Sequence, residues 1–335
     1  MTVIVLRMRP WHIWALIRTF MLRTRGSINV VLSDGLIPPV LRALAFAILG
    51  LGGSKQAYGA WIGQQLVGFL LVEFPSDRRR VSVLGITAVA ADTSFDDVSG
   101  ARGVAAVQDI GQALMQRVSN VATREGFLSV FVRLPVDSPF FDAFKRLGFV
   151  SAVREDVYTR LPGPMSVPRV IEGLRVREPA DAWDISQLYR AITPAPVQLA
   201  ESPDSECPSS SHGHSFGGWS GRRTGEFVVV SSEVSGIDAW VCVTAVHRGH
   251  HTIELMIHPR NSLLASELIR FALWTLMGGA PIPTQVIVRS HEDVLRRAAE
   301  SEGFVLRTTR ELLVHHMAVR IHAGEPAHAF DQVTS

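Results

Sequence analysis

Apolar positions along the chain fall into two series that run in the same order. Leu6-Arg7-Met8-Arg9 opens the first by alternating apolar and charged residues, and Trp11, Trp14, Ala15 and Arg18 follow at helical spacing. Leu174-Arg175-Val176-Arg177 opens the second, with Trp183, Ile185, Leu188, Tyr189 and Ile192 behind it at the same spacing. Each opening predicts a strand leading into an amphipathic helix. Two apolar runs around a polar turn come next in both series. They lie at residues 61–74 around Gly63-Gln64-Gln65, and at residues 227–243 around Ser235-Gly236. This is a hairpin signal. A further strand is expected over 81–90 in the first series and 252–258 in the second. Both series then give a longer helix, a strand ending in arginine, a short helix and a Gly-Phe pair. The strands are Val130-Phe131-Val132-Arg133 and Val286-Ile287-Val288-Arg289; the pairs are Gly148-Phe149 and Gly303-Phe304. Five matches in one order predict a duplicated domain.

The seam is expected at residues 161–172 (LPGPMSVPRVIE), where three prolines make a semi-rigid linker. The expected layout is a first domain over 1–160, a second over 173–321 and a tail over 322–335. Residues 201–225, rich in Ser and Gly, read as a surface loop inside the second domain. Strands and helices alternate around a hairpin, which predicts an α/β fold with a mixed (α+β) sheet rather than a purely parallel one. With 335 residues, the chain is long enough for two cores.

Composition narrows the chemistry. Hydrophobic residues make up 47% and charged residues 19%, which excludes a wholly disordered chain. Two cysteines, Cys207 and Cys242, exclude a disulfide scaffold and a Cys-rich zinc module. A net charge of +2 gives no reason to expect nucleic acid or an anionic membrane as a partner. The most apolar run, residues 43–53, is about half of the roughly 20 residues that a spanning helix needs. No signal-peptide pattern opens the chain, so a cytoplasmic protein with reduced thiols is expected. Only Lys55 and Lys145 among the 33 basic residues are lysines, which disfavours Schiff-base chemistry. Cys207, His212 and His214 lack a fourth ligand, so no metal is expected. His247, His250, His251 and His258 read as turn and surface residues.

Two short motifs give the element order a family likeness. Ile253-Glu254-Leu255-Met256-Ile257-His258-Pro259 looks like a fourth strand and its turn, and Phe144-Lys145-Arg146-Leu147-Gly148-Phe149 like the end of a fourth helix. The chain thereby resembles the GNAT acyltransferase superfamily in tandem, and the likeness implies two acyl-CoA N-acyltransferase-like domains. The family's signature is Arg or Gln, two residues, Gly, one residue, then Gly or Ala, at the start of the long helix. Gln108, Asp109, Ile110, Gly111, Gln112 and Ala113 match it. The unpaired N–H groups and dipole of a helix start suit a pyrophosphate, and small residues let it approach the backbone. The resemblance implies acetyl-CoA as cosubstrate, with its thioester near Val89 where the fourth and fifth strands splay. An amine, on a small molecule or a peptide, would attack it directly. In the second series Leu263 stands in place of the glycine, and the helix after it is apolar almost all round. That half reads as a degenerate copy that binds no coenzyme.

Catalytic groups are less evident. The family's usual tyrosine before Leu-Gly-Phe is Phe144 in the first series and Ala299 in the second. Tyr158 on the last strand of the first half is a candidate acid, or else a buried strand tyrosine. Glu73 at a hairpin end is a candidate base, or else a solvated strand end. Glu254 reads as structural or substrate-facing. Asp137-Ser138-Pro139 reads as a helix cap, with Asp137 where the family has an asparagine. Two functions follow: an N-acyltransferase working in the first half, or a non-catalytic relative that senses acyl-CoA or serves as a scaffold. Oligomeric state leaves no signature in the pattern.

Overall fold

The computed structural model describes residues 3–16, 28–30, 54–76, 80–88, 101–201, 222–231, 236–245, 249–277 and 281–317. The expected tail and most of the 201–225 loop lie outside them. In the first half, β1 (Ile4–Arg7), α1 (Ile13–Leu16), β2 (Ile28–Val30), β3 (Lys55–Ile62), β4 (Gln65–Glu73) and β5 (Arg80–Ala88) lead to a long helix. That helix is α2 (Ala101–Glu125), and β6 (Ser129–Pro135), α3 (Phe141–Arg146) and β7 (Val150–Arg160) follow it. Residues 161–172 contain no helix or strand. The second half opens with β8 (Leu174–Val176), α4 (Ala182–Ile192) and α5 (Ala195–Glu201). Strands β9 (Arg222–Val230), β10 (Ile237–Ala245) and β11 (His251–Ile257) precede α6 (Leu264–Thr275). It closes with β12 (Thr284–Arg289), α7 (Asp293–Ser301) and β13 (Val305–His316).

Local sequence explains several joints. Ile62 pairs with Gln65 across a two-residue turn that Gly63 opens at φ 58°, the conformation a tight hairpin needs. Gly148 and Gly303 follow the two short helices at φ 88° and 80°, left-handed positions that turn the chain back into the sheet. Just before α3, Ser138 Oγ accepts the Phe140 N–H at 3.3 Å, and no side chain caps the helix itself. Asp137 is exposed and does not cap.

The strands form one mixed sheet in the order β1-β3-β4-β5-β6-β13-β7-β12-β11-β10-β9-β8, with β2 beside β5. Within each half the pattern is the same, except that the last strands are exchanged. Strand β13 enters between β6 and β7, and β7 pairs with β12. Each half thus completes its sheet with a strand from the other. The cores follow the exchange. One gathers Val72, Ile86, Ile110, Leu114, Phe140 and Phe144, and takes Leu313 from β13. The other gathers Val241, Leu255, Leu268, Val286 and Ala299, and takes Tyr158 from β7. On the opposite face α4 packs on Trp240, Cys242 and Met256, while α5 lies across Phe131, Val153 and Leu312.

Two expectations change here. Helix α6 is buried along one stripe (Ala265, Leu268, Ile269, Ala272, Leu273), and Trp274 is 49% exposed. It is an amphipathic helix, not one buried all round. Helix α2 begins at Ala101, well before Gln108, so the segment Gln108–Ala113 lies two turns inside it. Gly111 serves packing. A Cβ at that position would lie 2.3 Å from Phe140 Cδ1, so glycine lets α2 seat against the Phe140 ring. Phe140 in turn stacks on Phe144 at 6.1 Å.

The exchanged strands meet at a buried ion cluster. Glu155 on β7 stands directly opposite Arg310 on β13 and Arg289 on β12. Its Oε2 accepts Arg310 Nε at 2.8 Å and Arg133 Nε at 3.0 Å. Burial alone would push the carboxyl up, but the Arg133, Arg310 and Arg289 charges hold it down at about 2. The ordinary value is 4.5. A depressed carboxyl adds stability that is present above its unfolded pKa and lost as pH falls through the folded one. The increment is about 3 kcal/mol.

We therefore expect Glu155→Gln to lower the urea-unfolding free energy at pH 7 by roughly 3–5 kcal/mol, because the Arg133 and Arg310 guanidiniums lose the carboxylate they bond. The two unfolding curves should converge as pH falls from 4.5 towards 2, where the wild-type carboxyl is itself neutral. A gap that stays constant with pH would refute the assignment. Gly111→Ala should cost about 1–3 kcal/mol by overpacking, and adding Phe140→Leu should recover part of that loss. Urea titration of the single and double variants measures both terms.

Candidate active site

Strands β5 and β6 run parallel but pair only through Arg80, Val81 and Ser82, opposite Ser129, Val130 and Phe131. Beyond Ser82 they part. Strand β5 stays with β4 as far as Ala88, and β6 stays with β13 along its whole length. The result is a wedge that opens towards the carboxyl ends of two parallel strands, where α/β folds commonly bind ligands. A register shift between Leu71 and Val72 leaves Leu84 as an extra residue on β5 at the wedge. Further out, β2 pairs antiparallel with Ile86, Thr87 and Ala88 on the wedge side. No described strand pairs with Val83, Leu84 or Gly85 there.

The start of α2 follows from the open end of β5. Its first residues, Ala101-Arg102-Gly103-Val104-Ala105, place a buried glycine and an exposed alanine in the opening turns. A helix of this length leaves unpaired N–H groups and a positive dipole end at that point. The six residues Gln108–Ala113, expected to form this feature, are interior to the helix, where their amides bond to carbonyls one turn back. Ile110 and Gly111 are buried on the core side. Val89 lies outside the described residues. Arg102-Gly103-Val104-Ala105 falls outside the family's signature, because the position three before the glycine is Gly100, not Arg or Gln.

A second wedge lies between β11 and β12. They pair in parallel only at His251, Thr252 and Ile253, and Glu254 to Ile257 diverge from β12. Glu254 is in register with Cys242, on the face that α4 covers. Helix α6 follows β11 after a short connection. A 3-10 turn, Pro259–Asn261, precedes it, His258 accepts the Arg260 N–H, and Arg260 is held by Asp238 at 2.8 Å. Leu263 stands at the cap position, 91% exposed. An exposed leucine at a helix start offers nothing to an anion. At the carboxyl end of β12, Arg289 pairs with Glu201 at 2.8 and 3.2 Å, and the Tyr189 hydroxyl also donates to Glu201. Burial pushes Glu292 beside them up to about 7, against the pull of Arg289, whose N–H it accepts at 2.8 Å.

Neither catalytic candidate lies in the first wedge. Glu73 is opposite Ser82 and Lys55, at the closed end of the wedge, where it accepts Ser54 Oγ at 3.2 Å. Tyr158 is buried in the second core, and its hydroxyl donates to Glu300 at 3.0 Å. Burial first, and the Glu300 carboxylate next, push that hydroxyl's pKa up. It is poorly disposed to release a proton. Phe144 and Ala299 are fully buried core residues. His251, expected at the surface, is 3% exposed.

One group in the wedge had not been anticipated. Thr87, on the β5 segment beyond the point of divergence, is fully buried, and its Oγ1 has no hydrogen-bond partner among the described residues. The sequence signal was faint, a single hydroxyl inside the apolar run Gly85-Ile86-Thr87-Ala88-Val89. No group of three or more metal-ligating side chains occurs among the described residues. Cys207, His212, His214 and His247 lie outside them.

No family model matches the sequence. No curated protein matches it either. Solved structures do match in shape. A GCN5-related N-acetyltransferase from Sphaerobacter thermophilus superposes with a TM-score of 0.55, at 14% identity over 94% of this chain and 95% of its own. A tandem GNAT protein from the clavulanic acid biosynthesis pathway superposes with a TM-score of 0.56, at 12% identity over 94% and 98%. At such identities the likeness speaks to fold alone, and the fold of this chain is the mixed α/β fold of the GNAT acetyltransferases.

Proposed function

We propose that the chain is a tandem pair of GNAT-like units whose first unit is an acyl-CoA-dependent N-acyltransferase, with acetyl-CoA as donor and a primary amine as acceptor. The observation that carries this reading is the first wedge, with Ile110 of α2 packed against Gly68 opposite Ala88 near its open end. The coenzyme would supply an activated thioester carbonyl. The residues present suit its other parts. The helix-start N–H groups of Arg102 and Gly103, with Gly103 and Ala105 as small residues beside them, suit a pyrophosphate. The unpaired edge at Val83, Leu84 and Gly85 suits an extended amide-bearing arm. Residues Ile28 to Val30 cover the outer part of that edge, so such an arm passes beneath them or displaces them. The unpartnered Thr87 hydroxyl can orient a carbonyl oxygen or an amine. Catalysis on this reading is chiefly positioning of the two reactants, which by itself lowers the barrier substantially.

The domain layout 1–160, 161–172, 173–321 and 322–335 belongs to the same proposal, and the exchanged strands β7 and β13 qualify it. The boundaries divide the sequence, but neither sheet is complete without the other. The second unit, with Leu263 and the Arg260–Asp238 pair at its helix start, walls the first instead of binding donor. A sensor without chemistry is the second reading. It is favoured by the burial of Phe144 and Ala299 where a proton donor would stand.

Thermal unfolding with acetyl-CoA at about 100 times its dissociation constant should gain roughly 2.7 kcal/mol in the wild type. Ala105→Glu should abolish that gain, since a carboxylate there repels a diphosphate. It should leave the unliganded melt unchanged or slightly higher, because an acidic residue suits a helix N-terminus. No stabilisation of the wild type would refute the reading. Thr87→Val tests the wedge separately. Removing an unsatisfied buried hydroxyl should leave stability equal or about 1 kcal/mol higher. Thiol release with an amine panel should fall in the same variant; unchanged transfer would exclude Thr87 from the site, and binding without any transfer would favour the sensor.

A further inference from the structure

The N-terminal edge of the sheet carries exposed apolar groups that the acyltransferase reading does not use. On β1, Val3 and Val5 pack on the first core, while Ile4 and Leu6, pointing to the other face, are 51% and 48% exposed. The chain then turns through Pro10–His12, where His12 Nδ1 accepts the Arg9 N–H at 3.1 Å. Two indoles follow, Trp11 at 63% and Trp14 at 77% exposure. The Arg9 guanidinium lies 5.2 Å from the Trp11 ring centroid. From these positions we infer that this edge docks on an anionic lipid surface.

Charge makes the case. The described residues of this edge, 3–16, hold two arginines, Arg7 and Arg9, and no carboxylate. The opposite edge of the sheet is an internal control. There Val176 and Trp183 are also exposed, at 65% and 66%. However, Arg175 is clamped by Asp181 at 2.6 and 2.7 Å, and Arg177 is paired with Glu226 at 3.5 Å. At the N-terminal edge, by contrast, Arg7 and Arg9 form no salt bridge with any described residue. Indoles beside guanidiniums that no described carboxylate neutralises, with aliphatic neighbours, are the composition that settles at a bilayer headgroup region. Ile4 and Leu6 would have no role on a phosphate backbone, and a second copy of this edge would set arginine against arginine. No helix among the described residues is long and apolar enough to cross a membrane, and docking requires none.

The test uses the full chain and vesicles of phosphatidylcholine, alone or mixed with phosphatidylglycerol. We expect co-sedimentation with the mixed vesicles only, a blue shift of tryptophan emission, and loss of binding at high salt. Trp11→Ser/Trp14→Ser should weaken binding about tenfold or more, as should Arg7→Glu/Arg9→Glu. Trp183→Ser should bind like wild type. All replaced side chains are exposed, and matching thermal melts confirm that the variants fold. Absence of binding to mixed vesicles at low salt overturns the proposal, as does equal binding by the Trp11/Trp14 variant. Retention on DNA without vesicle binding, or dimerisation lost in that variant, overturns it in favour of a polyanion or a second copy.

Discussion

Glu155 stands where the two halves exchange their last strands, and its carboxylate stays ionised there because Arg310 on the adjacent strand and Arg133 one strand further both bond it, with the Arg289 charge on its other side. Everything on the sheet is referred to this point. Glu155 lies six residues after Phe149, and Arg310 six residues after Phe304, so the two occupy equivalent places in the two series and face each other across the exchange. Two copies of the first half joined in this way would set Glu155 against Glu155, and two copies of the second would set Arg310 against Arg310. A buried ion pair is poor evidence of net stability, because desolvation cancels much of the attraction. Its value here is selective: it makes pairing of unlike halves favourable and pairing of like halves costly.

The exchange also explains why the two wedges can differ. Each half contributes the same strand order and the same point of divergence, but nothing requires both helix starts to keep the same chemistry. Around α2 the opening turns carry Gly103 and Ala105; around α6 an ion pair and an exposed Leu263 take their place. The half without an open helix start still supplies β13, without which β6 would be a bare edge. It is retained for what it completes.

Short-range patterns in the sequence reported faithfully on elements and poorly on their use. The hairpin around Gly63, the strands that carry Arg133 and Arg289 and the two Gly-Phe turns were legible because each is set by residues within one turn or strand. Strand exchange was not, since it depends on which of two similar edges β7 and β13 join, and that is decided by register over 155 residues of separation. Gly111 illustrates a different limit. A glycine in a helix signals that something approaches closely, and sequence alone could not distinguish a pyrophosphate from the Phe140 ring. Tyr158 and Glu73 were chosen for chemistry, yet alternation along a strand did not say which half's core Tyr158 would face, or which end of the wedge Glu73 would occupy. Thr87 escaped notice because a single hydroxyl in an apolar strand is ordinary until its burial and missing partner are seen together.

The wedge itself follows from the seam. Strand β6 is paired with β13 from Ser129 to Pro135, and Arg133 near its carboxyl end is tied through Glu155 to β7. Strand β5 is paired with β4 through Ala88. Each strand therefore follows the twist of a different neighbour, and neighbouring strands in a twisted sheet rotate by some 20–25°. With the seam holding one wall and the β3–β4 hairpin the other, the two parallel strands separate after three pairs. The same construction gives the second wedge, where β12 is held by β7 and β11 by β10. A cleft made this way needs no loop to shape it. Arg133, Glu155 and Arg310 tie its far wall to the seam, so the ion cluster buttresses the wedge from residues outside it.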